Sequence, residues 1–147
     1  MTYEVTVKDV VARPTAVVAA TTTWQEFPAL WGRLLGEVWD CLHAGGIYRG
    51  CRNIMLYRDN VPNVEVGVLL GQPCPLTGRV VSSELPAGEV AMTTHIGGYD
   101  KLAGAHQAIH TWSASTGRRL GASSWEIYGD WTDDPAKLET QVVYLLR

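Results

Sequence analysis

At 147 residues, 46% of them hydrophobic, the chain has the size of one ordinary domain and the material for a core. Its formal charge of -3 comes from 15 acidic and 12 basic residues scattered without a run of either sign, which leaves phosphate backbones no stripe to follow and argues against direct nucleic-acid binding. No apolar stretch approaches the roughly 20 residues that span a bilayer, and Met1-Thr2-Tyr3-Glu4 lacks the basic and apolar runs of a secretory signal, so a soluble cytoplasmic protein is expected.

The alternation in Glu4 to Val11, and again in Thr15 to Thr23 beyond Arg13-Pro14, predicts one long bent strand or two short ones. From Trp24 the period changes: Phe27, Leu30, Trp31, Leu34, Val38, Trp39 and Leu42 recur at helical spacing until Gly45-Gly46 stops them. Asn53 to Arg58 and Val64 to Leu70 read as a hairpin around Asp59-Asn60-Val61-Pro62-Asn63. The connector Gly71 to Gly78 is too short to part independent domains. Arg79 to Glu84 and Glu89 to His95 are strand material broken at Leu85-Pro86-Ala87-Gly88. A helix opens at Gly97-Gly98, with Tyr99, Leu102, His106, Ile109 and either Trp112 or Ser113 on one side, and Gly117 and Gly121 bracket its exit. Ser124 to Tyr128, the loop Asp130 to Pro135 and a last strand from Leu138 to Leu146 complete the chain.

Strand, helix, hairpin thus occurs twice, over halves of approximately 1–72 and 78–147. Two such βαββ units combine most economically into a single α+β domain over residues 1–147, a curved antiparallel sheet with pseudo-two-fold symmetry, two helices and a groove between them. The residues of the halves do not match, so the repeat is one of architecture.

Within Ser124-Trp125-Glu126-Ile127-Tyr128 a carboxylate interrupts an otherwise strand-like, aromatic run, with no lysine or arginine within four residues. Alternation puts Glu126 on the face of Tyr128 and Ser124, away from Trp125 and Ile127. Met55 and Tyr57 share a face of the equivalent strand. If the halves correspond, Glu126, Tyr57, Met55 and Tyr128 gather beneath Trp39 and Trp112 of the helices, an acidic floor with aromatic walls. Such a site attracts a flat, lipophilic cation, each ring adding roughly 0.5–2 kcal/mol of cation–π contact. It rejects anions, and it holds cations less well as the pH drops. A glutamate on the solvent side of an amphipathic strand would carry none of this.

The second half carries a resemblance spread over several elements: Leu85-Pro86-Ala87-Gly88, His95-Ile96-Gly97-Gly98-Tyr99, Leu102, Trp112, Trp125-Glu126-Ile127-Tyr128, Asp134-Pro135 and Leu138 to Tyr144. In order and spacing it resembles the GyrI-like small-molecule-binding family, the effector-binding domain of AraC- and MerR-type multidrug regulators. The first half matches loosely, through Arg13 to Val18 and Tyr57-Arg58-Asp59. The resemblance implies the paired βαββ fold and makes Glu126 the counterpart of a buried acid that meets cationic drugs. The chain departs from the family at His106, where an aromatic residue is common.

Three functions follow. The first is a stand-alone module that senses or sequesters lipophilic, aromatic, cationic small molecules. The second, implied by stand-alone enzymes of the family, is hydrolysis of the cyclopropane ring of alkylating natural products, with Glu126 as general base and Tyr57 donating to the substrate carbonyl. The third is a gyrase-inhibitor-like protein–protein module. Neither cofactor nor metal is expected, and a homodimer or a regulatory protein partner stays open.

The other candidates are weaker. His106 and His110 stand one helical turn apart, as on zinc-binding helices, without the glutamate of H-E-x-x-H or a third ligand. His95, at a strand end, is either a proton carrier reaching the cavity or a hydrogen-bonded turn histidine. Cys41, Cys51 and Cys74 lack C-x-x-C spacing and read as reduced small hydrophobes. Of the remaining tryptophans, Trp24 and Trp31 suit the core and Trp131 suits a lid or anchor.

Overall fold

The computed structural model describes residues 3–147. The N-terminal alternation forms two strands, β1 (Thr6–Val10) and β2 (Arg13–Thr21), separated by Val11-Ala12. Helix α1 (Phe27–Ala44) follows a turn in which the Thr23 hydroxyl accepts the Glu26 N–H at 3.1 Å. Gly46, at φ 88°, supplies the left-handed residue on which the chain leaves the helix. Strands β3 (Asn53–Tyr57) and β4 (Asn63–Leu69) form the hairpin. Asp59 fixes its turn by accepting the N–H groups of Val61 and Asn63 at 3.0 and 2.9 Å, an arrangement that holds the Asp59 carboxyl below its ordinary pKa, the Asn63 side chain contributing most.

In the second half come β5 (Val81–Leu85), β6 (Gly88–Ile96), a 3-10 turn (Tyr99–Lys101), α2 (Ala103–Thr116), β7 (Leu120–Tyr128) and, after a further 3-10 turn (Pro135–Lys137), β8 (Glu139–Leu146). Two boundaries differ from the sequence expectation. The helix opening at Gly97-Gly98 becomes a 3-10 turn before α2, and β7 begins at Leu120, with a register irregularity between Leu120 and Ser124 that lets the small residues there stay extended.

The eight strands form one antiparallel sheet in the order β1-β6-β8-β7-β3-β4-β2-β5. The order is symmetric about the β3–β7 pair, where Met55 lies opposite Glu126. β1 pairs with β6 and β5 pairs with β2, so each edge strand lies beside the other half of the chain. This arrangement dictates the curvature. β1 and β2 stand six places apart in the sheet, about 29 Å if it were flat, yet the Val10-to-Arg13 link reaches only about 11 Å. The Leu85-to-Gly88 link imposes the same constraint from the other side. The sheet therefore curls until its two edges lie close together.

Curling creates two different faces. The inner face is a core of Val17, Ile54, Leu56, Leu85, Trp125, Ile127 and Val143, closed by the sheet itself with no helix over it. At Gly67, on β4, a Cβ would come within 1.9 Å of the Ala16 carbonyl oxygen, so only glycine fits where β2 folds over its neighbour. The outer face carries the helices. α1 packs Leu34, Val38 and Leu42 against Ala16, Val18, Val64, Val66 and Val68. α2 packs Ala105 and Ile109 against Ala91 and Val142. The parity expected for β7 holds: Trp125 and Ile127 belong to the inner core, Glu126 to the helix side. Among the described residues no helix is long and apolar enough to cross a membrane.

Candidate ligand site

Between α1 and the centre of the sheet lies a cavity of about 560 Å³, a volume suited to a drug-sized molecule. Helix α1 contributes Phe27, Pro28, Trp31, Leu35 and Trp39 to its walls, and β3 contributes Met55 and Tyr57. Tyr99 and Leu102 close the side where the chain enters α2, and Glu126 and Tyr128 form the floor. Trp31 and Trp131 are 40% and 71% exposed and stand at the mouth. The Trp39 indole N–H donates to Asn53 Oδ1 at 2.8 Å, which fixes the ring. Tyr57 is braced by Trp24 and Phe27, with ring centroids 5.4 and 5.8 Å away.

Glu126 is only 4% exposed, and its oxygens are hydrogen-bonded on two sides. Oε1 accepts the Tyr57 hydroxyl at 3.0 Å and also the Tyr128 hydroxyl. Both phenols lie within reach of the Met55 sulfur, at 3.6 and 3.4 Å. Their pKa values are pushed well above the ordinary tyrosine range, first by burial and then by the Glu126 charge. Both are therefore neutral donors at any physiological pH. Oε2 faces His106 Nε2 at 2.6 Å, and His106 Nδ1 lies 2.8 Å from the Tyr144 hydroxyl. Burial, opposed by a hydrogen bond from Ser124, also raises the Tyr144 pKa.

Five of the residues singled out from sequence, Glu126, Tyr57, Met55, Trp39 and Tyr128, thus stand together at the cavity. Trp112 does not: it packs beside Ala91, Ala105, Ile109 and Val142 under α2. His95 is fully buried at the end of β6, its Nδ1 bonded to the Tyr3 hydroxyl at 2.8 Å and its Nε2 to the Gly98 carbonyl at 2.9 Å. Of the two helices, α1 lines the cavity with its aromatic residues, whereas α2 packs Ala105 and Ile109 directly on β6 and β8.

Sequence reasoning missed the partner of Glu126. The available signal was a histidine, His106, on the apolar side of α2, facing an acid that had no nearby cation in sequence. His110 points elsewhere, its ring 5.2 Å from that of Tyr144. Among the described residues no group of three or more histidine, cysteine, aspartate or glutamate side chains is placed to hold a metal ion.

A doubled βαββ sheet with a cavity at its centre is the architecture of a small-molecule-binding domain, and the chain belongs to the GyrI-like small molecule binding domain family, whose model matches residues 3–146. Among solved structures, the C-terminal domain of EcmrR is similar over 100% of this chain and 99% of that domain, with a TM-score of 0.77 at 19% identity. The chain spans 57% of the EcmrR chain in its complex with DNA. SAV2435 bound to tetraphenylphosphonium is similar over 98% of this chain and 94% of that one, with a TM-score of 0.68 at 12% identity. A hydrolase from Listeria innocua is similar over 98% and 92%, with a TM-score of 0.61 at 14% identity. At these identities the likeness is one of fold. No curated protein matches the chain in sequence.

Proposed function

We propose that the protein binds lipophilic, cationic aromatic molecules in this cavity, as a sensor or a sequestering module. We read the whole chain, 1–147, as one such unit with approximate halves 1–72 and 78–147. The observation that carries the function is Glu126, a nearly buried carboxylate on the floor of a cavity whose walls are mainly aromatic and aliphatic. A cation there gains the carboxylate and the faces of Trp39, Trp31 and Tyr99 together. An anion meets the carboxylate and is repelled. The bound tetraphenylphosphonium in the SAV2435 structure supports the same ligand class in a protein of the same fold. The test is quenching of tryptophan fluorescence by tetraphenylphosphonium. Saturable binding that Glu126→Gln weakens at least tenfold is expected; equal binding by wild type and variant would remove the carboxylate from the argument.

A second reading is hydrolysis of a strained cyclopropane. It is favoured by the hydrogen-bonded series Tyr144, His106, Glu126, which gives a base on the cavity floor a way to discharge its proton. Water would add to the ring carbon while Glu126 takes its proton, the ring C–C bond breaks, and the electron pair settles on the substrate carbonyl oxygen. Tyr57 would donate to that oxygen. Incubation with a cyclopropane-bearing alkylator and mass spectrometry for the ring-opened hydrate decides it: turnover lost in Glu126→Gln supports the enzyme, whereas binding without turnover leaves the module.

A further inference from the structure

Resting on the reading of the cavity as a cation site, we propose that His106 is the resident counter-ion of Glu126 and that a cationic ligand enters in exchange for a proton, which leaves through His106 to solvent. His106 thereby sets the charge preference of a cavity whose walls it does not join.

The geometry separates two sides of one carboxylate. Oε1 is held by the Tyr57 and Tyr128 hydroxyls on the cavity side, and Oε2 faces His106 Nε2 at 2.6 Å. The His106 side chain is 23% exposed against 6% for Glu126, so the imidazole reaches solvent by a path other than the ligand's. Its second nitrogen is equally provided for. When His106 is neutral with the proton on Nε2, Nδ1 accepts from the Tyr144 hydroxyl; when it is protonated, Nδ1–H donates to the same oxygen at 2.8 Å. A hydroxyl does either by rotating. Both charge states are therefore hydrogen-bonded without movement of the helix, as a reversible proton store requires.

The exchange balances. The empty pocket holds imidazolium and carboxylate. The occupied pocket holds ligand cation, carboxylate and neutral imidazole, with one proton released. Two cations on one buried carboxylate would repel each other, which is what drives the proton off. The titratable and charged groups around the pair are Tyr57 on β3, Tyr128 on β7, Tyr144 on β8, His95 on β6 and His110 on α2, with Arg52 and Asp130 exposed at the cavity mouth. The tyrosines stay neutral through the range in which imidazoles titrate. His95 has both ring nitrogens bonded to Tyr3 and Gly98. His110, stacked edge-on against Tyr144, is the control.

The experiment is calorimetric titration of the whole chain with tetraphenylphosphonium at pH 6 in phosphate and in bis-Tris, and at pH 8 in phosphate and in Tris, whose different ionisation heats count the protons released. Wild type is expected to release close to one proton per cation at the acid end. Its Kd should fall by up to about tenfold per pH unit as one linked proton is titrated away. His106→Gln, which keeps a donor for Oε2, should release none and bind at pH 6 within about threefold of wild type at pH 8, while His110→Gln should behave as wild type. Wild-type binding with no proton released at either pH overturns the exchange and leaves the cation site standing; this reading needs no variant. An unchanged pH slope in folded His106→Gln also overturns it, by placing the proton on Glu126. Absence of binding at both pH values overturns the cavity reading and the exchange together.

Discussion

The two faces of the central strands β3 and β7 are built from alternate residues of the same stretches, yet they obey different rules. On the inner face Ile54, Leu56, Trp125 and Ile127 are buried among other apolar side chains, with only a small cavity of about 60 Å³ beside Trp125 and Ile127. On the helix face Met55, Tyr57, Glu126 and Tyr128 stand around open volume and spend their polar atoms on one another. Within these two strands, apolar packing is thus concentrated on one side and the proposed ligand contacts on the other. A substitution is expected to cost mainly one or the other according to its parity.

The largest effect is expected at Trp125. Trp125→Ala should lower the unfolding free energy by about 3–5 kcal/mol, measured by chemical denaturation. Trp31→Ala, at the cavity mouth, should cost less than about 1 kcal/mol while weakening tetraphenylphosphonium binding. If the exposed tryptophan proved the costlier to lose, the division of labour would be wrong. Gly67→Ala probes the same inner side through the backbone: with the Ala16 carbonyl in the way, a loss of about 2–4 kcal/mol is expected.

On the other face Tyr57→Phe is expected to act more mildly. It removes one of the two donors to Glu126 Oε1 and should change stability by about 1 kcal/mol, with a smaller loss of cation affinity than Glu126→Gln. The smallest effect is on the alkaline limb. Tyr57 and Tyr128 have raised pKa values in the fold, so the unfolded chain loses those protons first. Their contribution to stability is complete below about pH 10 and declines as the pH rises beyond it. Ultraviolet titration of the folded protein should leave at least Tyr57 and Tyr128 un-ionised when the exposed tyrosines have titrated.

Much of this was legible in the residues. The strict alternation of Ser124 to Tyr128 assigns Glu126 and Trp125 to opposite faces, and the helical spacing from Phe27 to Leu42 locates α1 and its buried side. Periodicity is local, however, and cannot say which strand lies beside which. The crossing of β1 to β6 and of β5 to β2 depends on pairing over long separations, so although a curved sheet was expected, the strand order and the inner core it encloses were invisible. The two-fold argument treats Trp39 and Trp112 alike, because it sees repeated order and not the different bulk of the two helix faces. His106 was read in sequence beside His110, its neighbour on the helix, when its chemical partner lies across space on β7.

The two-residue links at Val11-Ala12 and Pro86-Ala87 have a mechanical consequence. Each ties an end of the sheet to the opposite end, so neither seam can peel apart while the chain is intact. Any change in pocket volume is therefore expected on the other side of the cavity, where α1 and the segment carrying Trp131 line it. A tethered sheet of this kind works as a fixed cradle, keeping Glu126 in register with Tyr57, Tyr128 and His106.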